Sequence, residues 1–577
     1  MKSKQVFFIG GIILQLMLIP SLFAQEITNL PSDRLHPPLS PPIRLSGNFG
    51  ELRSNHFHSG IDIKTRGVKG KKIFAVADGY VYRIKVTTGG YGKALYIHHP
   101  EHGLSSVYGH LKQFEEPLAS YVKTRQYDQK SFEIQLFPGK NQFQVKKGSL
   151  IAYSGNSGSS NGPHLHFELR SMNNQHPVNP SDYQFPIKDN ISPKIFNLAV
   201  YPRNNNGYIN GRNDKVILDV VSIKQDHYTI SGDQKIHVSG SIGFGIRAFD
   251  FLNHSSNWCG VNSIRLYIDS NLVYKHTIDE FSFQETRYIK SLIDYEEKIR
   301  HNRSIQKSFL QPHNELSIYE LIKNDGYYQF NKNATHQVKY EVKDAYDNTA
   351  VLTFKVYGTA RPSKKTVADR PEYVSLMPYN KVNHFENDDI KVHFPANSFY
   401  DTLYFEYSKS QAEDPSFYSD LHNIHNRYTP VHKYYTLSIK PEDLPGLIRK
   451  KAFIARFTDD GYVFEGAERV NGFVTAQVNE FGKFGVKVDN TKPNITPYAN
   501  TPETLSFKVT DEDSGIKTYN GYIDGQWVLF EYDPKEDLIF WRIEKSRLSS
   551  APKHQIALFV SDQLDNVATY HDTIPIH

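Results

Sequence analysis

A short stretch at residues 162–170 constrains the fold of this chain more than any other part of its sequence. It reads Gly-Pro-His-Leu-His-Phe-Glu-Leu-Arg. At the two-residue period of a β-strand, His164, His166 and Glu168 share one face, and the apolar side chains between them share the other. The apolar face predicts a strand packed on a core, and the two neighbouring imidazoles predict a metal site.

Further ligands for such a site occur earlier in the chain. His58 and Asp62 flank Gly60, and their spacing lets both reach one ion if the chain turns at the glycine and continues as a strand. Two imidazole nitrogens and one carboxylate oxygen suit a zinc ion with an open fourth position, which is typical of catalytic sites. The same ligand types form the facial triad of non-haem iron oxygenases, so the ligand types alone do not distinguish zinc from iron. His110 lies between the two clusters and could act beside the ion without binding it.

Three motifs in this order resemble the M23 (lysostaphin/LytM-type) zinc endopeptidases, which cut peptide bonds in peptidoglycan. They are His-x-x-x-Asp at residues 58–62, Tyr-Gly-His-Leu at residues 108–111, and Gly-Asn-Ser-Gly leading into Gly-Pro-His-Leu-His-Phe-Glu at residues 155–168. The resemblance spans residues 44–180.

This resemblance implies a fold, a cofactor and a set of residue roles. The fold is the antiparallel β catalytic domain of M23 peptidases, and the cofactor is one zinc ion. His58, Asp62 and His166 would bind the zinc. His110 and His164 would be the catalytic pair that does not bind metal, and their individual roles stay open. All five positions carry the family's residue type, unlike those of degenerate members that regulate other hydrolases.

Other polar residues near the motifs are weaker candidates. Arg53 matches an arginine often found upstream of the first ligand in this family, where it meets a substrate carboxylate or holds the loop. Glu168 either fixes a histidine tautomer or is an exposed carboxylate at a strand end. His56 is left out of the metal set, and the histidines at positions 98, 99 and 102 are expected in a solvated loop.

The first residues predict export. Residues 1–24 combine two early lysines, an apolar run and a small residue, Ala24, at the cleavage point, which is the pattern of a secretory signal peptide. An uncleaved membrane anchor is the alternative, because the apolar run is long enough to span a bilayer. The proline-rich residues 25–43 are expected to form an extended lead-in.

Composition excludes a disulfide framework and gives no sign of a nucleic-acid-binding surface. The 577 residues contain one cysteine, Cys259, so no intramolecular disulfide can form and each domain must rely on its own core. The formal net charge is +5, and no basic tract marks a nucleic-acid-binding surface. A chain of this length predicts roughly three to five domains.

The residues beyond the catalytic motifs predict several β modules. A segment at 336–350 recurs at 554–568 with the same His-Gln start and Asp-x-x-Asp-Asn end. Alternating strands and polar turns favour immunoglobulin-like β-sandwiches.

The predicted domains are a signal peptide at 1–24, the lead-in at 25–43, an M23-like zinc peptidase domain at 44–187, an immunoglobulin-like sandwich at 188–358 with an insertion and a helix near 289–298, a linker at 359–371, a β-rich module at 372–488 and a second immunoglobulin-like sandwich at 489–577.

Two segments admit two interpretations each. Residues 112–147 exceed the compact family pattern and carry several aromatic side chains, so they form either one wall of the substrate groove or a surface insertion. The Asp-x-x-Asp-Asn sequences are typical of Asx turns and also of calcium ligands, and the turn is the simpler interpretation.

Together these patterns predict a secreted zinc metalloendopeptidase of the periplasm or cell envelope. It would hydrolyse stem-peptide cross-links in peptidoglycan with metal-activated water. The alternative is a non-catalytic peptidoglycan-binding or regulatory envelope protein that keeps the zinc fold. The expected partners are peptidoglycan peptides and envelope proteins that would bind the C-terminal β modules, and no nucleic acid.

Overall fold

The computed structural model describes residues 34–360 and 372–575. The predicted signal peptide and most of the predicted linker lie outside the described residues. Within these two ranges, no helix combines the length and apolar character needed to cross a membrane. Strands dominate throughout and pair mainly in antiparallel fashion, which confirms the predicted fold class.

The N-terminal domain, residues 35–187, consists of a nine-stranded and a three-stranded antiparallel sheet. Its elements are β1 (Leu45–Gly47), β2 (Ile61–Lys64), β3 (Lys72–Phe74), β4 (Gly79–Val86), β5 (Lys93–His99), β6 (Leu104–Gly109), β7 (Leu111–Phe114), α1 (Leu118–Gln129), β8 (Ile134–Leu136), β9 (Gln144–Val145), β10 (Leu150–Ser154), β11 (His164–Ser171) and β12 (Pro177–Val178), with short 3-10 helices at Pro100–His102 and Pro180–Tyr183.

Strand β11 is the predicted histidine strand, and it lies inside the larger sheet between β2 and β6. Leu165, Phe167 and Leu169 are fully buried in the domain core. The period-two prediction is therefore confirmed for this strand. Its opposite face carries the polar residues of the candidate site.

The described part of the proline-rich lead-in adds to the same core. Leu35, Leu39 and Ile43 are buried within it. The backbone of this segment also pairs with β3 and the residues after it: the Phe74 amide donates to Pro38 O at 2.9 Å and the His36 amide donates to Val76 O at 2.8 Å. The extended segment thus covers one edge of the three-stranded sheet.

The first module, residues 188–360, has eleven strands in one hydrogen-bonded network. The network is continuous because the long β16 pairs with β13 along most of its length and also with β19, β21 and β23. Its elements are β13 (Lys194–Ile209), β14 (Val216–Lys224), β15 (His227–Ile230), β16 (Ile236–Phe249), β17 (Ser263–Ile268), β18 (Asn271–Thr277), α2 (Ile289–Leu292), α3 (Tyr295–His301), β19 (Gln306–Lys307), β20 (Tyr319–Ile322), β21 (Tyr328–Phe330), β22 (Ala334–Lys343) and β23 (Thr349–Gly358), with 3-10 turns at Thr286–Tyr288 and Asn324–Gly326.

The predicted helix near residues 289–298 occurs as two short helices. Helix α2 ends at Leu292, and Ile293 takes an extended conformation. Asp294 then caps α3, because its side chain accepts a hydrogen bond from the Glu297 amide. The capping aspartate explains why the helix restarts after the break.

The middle module, residues 372–488, contains two five-stranded sheets and one two-stranded sheet around a shared core. Its strands are β24 (Ser375–Met377), β25 (Asn383–Glu386), β26 (Ile390–Phe394), β27 (Leu403–Phe405), β28 (Tyr407–Ser410), β29 (Leu421–Ile424), β30 (Tyr435–Ile439), β31 (Ala452–Thr458), β32 (Gly461–Gly466), β33 (Glu468–Val470), β34 (Phe473–Val478) and β35 (Gly482–Val488), with a 3-10 turn at Arg449–Lys451.

The last module, residues 489–575, consists of two four-stranded sheets that enclose one core around the fully buried Trp541. Its strands are β36 (Asn494–Pro497), β37 (Thr504–Thr510), β38 (Ile516–Ile523), β39 (Gln526–Val528), β40 (Glu531–Asp533), β41 (Leu538–Arg542), β42 (His554–Asp562) and β43 (Val567–Ile574), with a 3-10 turn at Lys545–Arg547.

The repeated sequence forms the same antiparallel hairpin twice, as β22 with β23 and as β42 with β43. The histidine that opens each copy also makes the same contact. His336 Nδ1 lies 2.6 Å from Asp269 Oδ2, and His554 Nδ1 lies 2.7 Å from Asp524 Oδ2. The first and last modules therefore share a structural unit.

The segment at 112–147 is ordered and carries a contact to the last module. Most of α1 covers the N-terminal core, but Tyr127 points to the other module. Its hydroxyl donates to Glu544 Oε1 at 2.8 Å, its ring meets Trp527 edge-on at 5.4 Å, and the Arg547 guanidinium lies 3.4 Å above it. Neither the groove-wall nor the simple surface interpretation anticipated this docking role.

We expect Tyr127→Ala to loosen the last module from the N-terminal domain. The Leu529 amide also donates to the Tyr127 hydroxyl at 3.4 Å, so the variant loses two hydrogen bonds, one aromatic pair and one cation–π contact, which together contribute about 2 kcal/mol. Hydrogen exchange of residues 526–547 should rise by more than tenfold. Tyr121→Ala is the matched control on the same helix, because Tyr121 packs on Phe143 instead. Equal exchange in both variants would contradict a docking role for Tyr127.

Candidate active site

The pairing of β2 with β11 brings the predicted ligands together. His166 lies directly opposite Asp62 in the register of these strands. His58 precedes β2 and returns to the same point through the turn at Gly60. A side chain at position 60 has no room, because an added Cβ would lie 2.2 Å from Phe167 O. The glycine therefore allows the close approach that places His58 beside the strand pair.

His58, Asp62 and His166 form a compact group that could hold one metal ion. His58 Nε2 lies 3.0 Å from Asp62 Oδ1 and 3.1 Å from His166 Nδ1. His166 Nδ1 lies 3.0 Å from the same carboxylate oxygen. All three side chains are buried, so the ligand atoms face one another in a site largely shielded from solvent.

The hydrogen bonds behind this group select the ring tautomers. His58 Nδ1 donates to the Asn48 carbonyl at 2.7 Å, and His166 Nε2 donates to Glu168 Oε1 at 2.8 Å. In neutral rings the lone pairs then lie on His58 Nε2 and His166 Nδ1, the two nitrogens that face each other. Two acceptors at this distance need either a shared proton or a metal cation between them, and the residues therefore fit a metal that would replace that proton.

The charge distribution also favours a cation. Burial raises the pKa of Asp62, but the adjacent His58, His164 and His166 outweigh it and hold that pKa well below its usual value. Burial lowers the pKa of His166, but hydrogen bonds to Asp62 and Glu168 outweigh it and raise the value to about 9. The carboxylates thus stay ionised and attract positive charge to the ligand atoms.

Glu168 is the centre of a buried polar cluster next to the ligands. Its carboxylate accepts hydrogen bonds from Ser59 Oγ at 2.5 Å, from the Tyr91 hydroxyl and from Arg170 Nε at 2.6 Å, besides the one from His166. Burial raises the pKa of Glu168. The opposing effects of Arg170 and His166 together are larger, and they hold that pKa below its usual value. The alternative of an exposed strand-end carboxylate is wrong, because Glu168 has no solvent exposure. Its position suits the fixing of the His166 tautomer.

The two predicted catalytic histidines lie next to each other and to the ligand group, with ring centroids 4.8 Å apart. His110 Nδ1 donates to the Ser157 carbonyl and His164 Nδ1 donates to the Gly162 carbonyl, each at 2.8 Å. Each neutral ring therefore offers Nε2 as a proton acceptor. Burial and the neighbouring His166 and His164 lower the pKa of His110 to about 3, which keeps this ring neutral.

His110 also has an unusual backbone conformation, with a φ of 56°. Its amide donates to the Tyr91 carbonyl at 2.8 Å, which holds the turn between β6 and β7. A left-handed conformation at a non-glycine residue often occurs at functional sites. Here it places the imidazole over the ligand group.

Arg53 contacts Asp62, one of the three candidate metal ligands. One of its terminal nitrogens donates to Asp62 Oδ2 at 3.0 Å, and its Nε lies 3.3 Å from Glu51 Oε1. Burial raises the pKa of Glu51 to about 7. Of the two interpretations for Arg53, the contact supports the one in which it holds the loop and orients Asp62.

The remaining histidines lie outside the ligand group. His56 is exposed and pairs with Asn55. The solvated-loop prediction for residues 98 and 99 is wrong, because both belong to β5 and His99 is buried. His99 bonds to Asp78 O and Ser106 Oγ, which satisfies both ring nitrogens inside the sheet. A short strand end followed by a turn hides this burial in the sequence.

Part of the chain matches known protein families. The family model described as Peptidase family M23 matches residues 56–127 and 133–180. The N-terminal domain therefore resembles M23 peptidases over these residues. A second model, described as a Zu5-like domain, matches residues 374–489, which nearly coincide with the middle module.

Curated relatives match about a quarter of the chain. The DD-carboxypeptidase/endopeptidase Mpg of Neisseria meningitidis serogroup B is 32% identical over 151 residues, which is 25% of this chain and 28% of the relative. An uncharacterized metalloprotease of Haemophilus influenzae is 32% identical over 155 residues, which is 26% of this chain and 27% of that protein. The chain thus spans little more than a quarter of the length of these curated relatives.

Among solved structures, the chain is similar to a mutant catalytic domain of the prophage-encoded M23 protein EnpA from Enterococcus faecalis. It is 26% identical and covers 26% of this chain and 97% of that chain, with a TM-score of 0.19.

Several functional neighbours of the M23 site were not predicted from the sequence. They are Asn48, Ser59, Tyr91 and Arg170. Arg170 had a signal, since it continues the face of His166 and Glu168 at the strand period. Tyr91 lies among three glycines at 89, 90 and 92, and an aromatic residue in such a loop is a reasonable site candidate.

The last module reaches the loop that supports His110. Lys93 Nζ lies 2.7 Å from Glu531 Oε2, while the Lys93 amide donates to Ser157 Oγ at 2.9 Å. Lys535 of the last module donates to the Asn156 carbonyl. The Ser157 carbonyl accepts the hydrogen bond from His110, so the last module braces the acceptor of a candidate catalytic residue.

Proposed function

We propose that this protein is a zinc metalloendopeptidase that hydrolyses peptide bonds in peptidoglycan, with stem-peptide cross-links as substrates. The observation that carries the proposal is the convergence of the group His58, Asp62 and His166 with two histidines, His110 and His164, that present Nε2 beside it. Its family and the endopeptidase named among its relatives support the same reaction class.

The three ligand residues would hold the zinc ion, and Arg53 and Glu168 would fix two of them. When bound, zinc supplies Lewis acidity for the attack of water on a carbonyl. One imidazole of the pair would accept the proton of the attacking water at Nε2 and deliver it to the leaving amine. The other, when protonated at Nε2, would donate a hydrogen bond to the developing oxyanion.

We also propose an exported location, in the periplasm or cell envelope, where this substrate occurs. The three β modules would contact envelope protein partners or the wall itself. A non-catalytic peptidoglycan-binding or regulatory protein is the alternative, and turnover distinguishes the two.

The decisive experiment is product analysis with purified peptidoglycan. We expect the zinc-loaded protein, residues 25–577, to release soluble muropeptides that mass spectrometry identifies by the bond that was cut. A zinc chelator should reduce release to the level of buffer, and added zinc should restore it. Release that is insensitive to the chelator would contradict a metal mechanism. Binding without release, across walls of several peptide chemistries, would favour the regulatory alternative.

A further inference from the structure

Three aspartates meet where the M23 domain joins the first module. Asp189 follows the last turn of the M23 domain, Asp250 follows β16, and Asp344 follows β22. One carboxylate oxygen from each lies within 4.8 Å of the others. Oxygens bound to one calcium ion lie about 2.3–2.6 Å from it, so they lie at most about 5 Å apart. The three oxygens thus fit on one such coordination sphere.

Two oxygen atoms of this cluster lack the hydrogen bonds that buried carboxylates require. Asp250 is only 2% exposed, yet its Oδ1 has no hydrogen-bond partner within the described residues. The buried Oδ2 of Asp189 has none there either. Burial and the charges of Asp344 and Asp189 raise the pKa of Asp250 to about 8. An uncompensated buried carboxylate is costly, and a cation would satisfy it.

The last module offers an internal comparison, because it has an equivalent group: Asp489, Asp511 and Asp562. Asp511 follows β37 and Asp562 ends β42, as Asp250 and Asp344 follow β16 and β22. In the last module, protein donors occupy the acidic oxygens. Ser514 Oγ donates to Asp489 Oδ2 at 2.5 Å, and the amides of Ser514 and Gly515 donate to Asp511 Oδ1 at 2.9 and 2.7 Å.

Both groups share the Asx turn that the sequence predicts. Asp344 Oδ1 accepts from the amides of Tyr346 and Asn348 at 2.8 and 2.9 Å. Asp562 Oδ1 accepts from the corresponding amides at 2.8 Å in both cases. The turn therefore accounts for one aspartate in each module. The difference between the modules lies in the other two aspartates. Asp189 Oδ1 accepts from the Ile191 amide at 3.2 Å, but Asp189 Oδ2 and Asp250 Oδ1 have no hydrogen-bond partner within the described residues, whereas Asp489 Oδ2 and Asp511 Oδ1 have the donors named above.

We propose that Asp189, Asp250 and Asp344 bind a divalent cation of the calcium class. Hard carboxylate oxygens are the ligands that calcium prefers. The equivalent group in the last module is closed by its own serine and amide donors, and it would not need an ion.

This cation would stabilise the loop that holds His58 of the M23 site in place. The backbones of Asp250 and Cys259 exchange two hydrogen bonds of 3.0 Å. The next residue, Gly260, exchanges two bonds of 2.7 Å with the Asn48 side chain, and the Asn48 carbonyl accepts the bond from His58 Nδ1. An ion at Asp250 therefore fixes the loop against which His58 is held.

Calcium titration of the zinc-loaded protein, residues 25–577, tests the proposal. Isothermal titration with calcium chloride should show one bound ion per chain. Asp250→Asn should weaken binding by at least about tenfold, because it removes a charged ligand. Asp511→Asn is the matched control and should keep the wild-type affinity. Tighter binding of magnesium than of calcium would overturn the calcium assignment.

Thermal unfolding gives a second test, in which Asp250→Asn changes the melting temperature in opposite directions with and without calcium. Calcium should raise the melting temperature of the wild type and of Asp511→Asn, but not that of Asp250→Asn. Without calcium, and at a pH above the value of about 8 to which the pKa of Asp250 is raised, Asp250→Asn should melt above the wild type, because the amide removes the repulsion between ionised carboxylates. Absence of calcium binding to the wild type, or equal binding by Asp250→Asn, would overturn the proposal. If Asp250→Asn does not fold, Asp189→Asn provides the same test at a half-buried position.

Discussion

His164→Ala is expected to keep the metal and lose hydrolysis. His164 lies beside the ligand group, but its Nδ1 is held by the Gly162 carbonyl and the group of three is complete without it. Removal of a positioned acid or base reduces the rate by about 10²–10⁴-fold. Metal content by elemental analysis and muropeptide release from purified peptidoglycan measure the two properties on one sample.

His166→Ala, in contrast, should lose both metal and hydrolysis. His166 Nδ1 lies about as close to Asp62 as His58 does, so its removal leaves only two ligands. His56→Ala is the control, because that exposed histidine lies two residues before His58 and outside the group. Full hydrolysis by either His164→Ala or His166→Ala would remove the proposed mechanism.

Glu168→Gln should destabilise the M23 domain and weaken metal binding together. The substitution leaves the guanidinium of Arg170, which is 8% exposed, without its carboxylate. Breaking a buried ion pair from one side costs about 3–5 kcal/mol. A neutral amide in place of the carboxylate that accepts from His166 should also lower zinc affinity by about 10–100-fold. Denaturant unfolding of the metal-free protein and competition with a chromophoric chelator measure the two effects.

Tyr91→Phe is the matched control for Glu168→Gln. It removes one hydrogen bond to the same carboxylate but leaves all charges in place. The expected cost is about 1 kcal/mol, with little change in zinc affinity. If Glu168→Gln behaves like Tyr91→Phe in both assays, Glu168 is not the residue that fixes His166.

The strand period alone located the central part of this site, for a physical reason. A strand places alternate side chains on one face, so His164, His166 and Glu168 had to lie together once β11 formed. Their burial was less predictable. Glu168 is covered because Tyr91 and Ser59 approach it from distant loops, and no local pattern encodes that approach.

The supporting contacts depended on tertiary structure throughout. Asn48 could not be related to His58 from the sequence, because its side chain bonds to Gly260 in another module. The segment at 112–147 was recognised as an addition to the family pattern, but its partner lies four hundred residues further along the chain. Such pairings are set by how whole modules dock, and periodicity carries no information about them.

The brace between the last module and the His110 loop has a consequence for the order in which the protein matures. Synthesis runs from the N-terminus, so Glu531 and Lys535 are added long after the residues of the M23 domain. The contacts of Lys93 and of the Asn156 carbonyl therefore cannot form until the last module is present. A nascent or truncated chain would hold every ligand residue and both histidines, yet lack the support behind Ser157. Full support of the active site therefore depends on the presence of the last module.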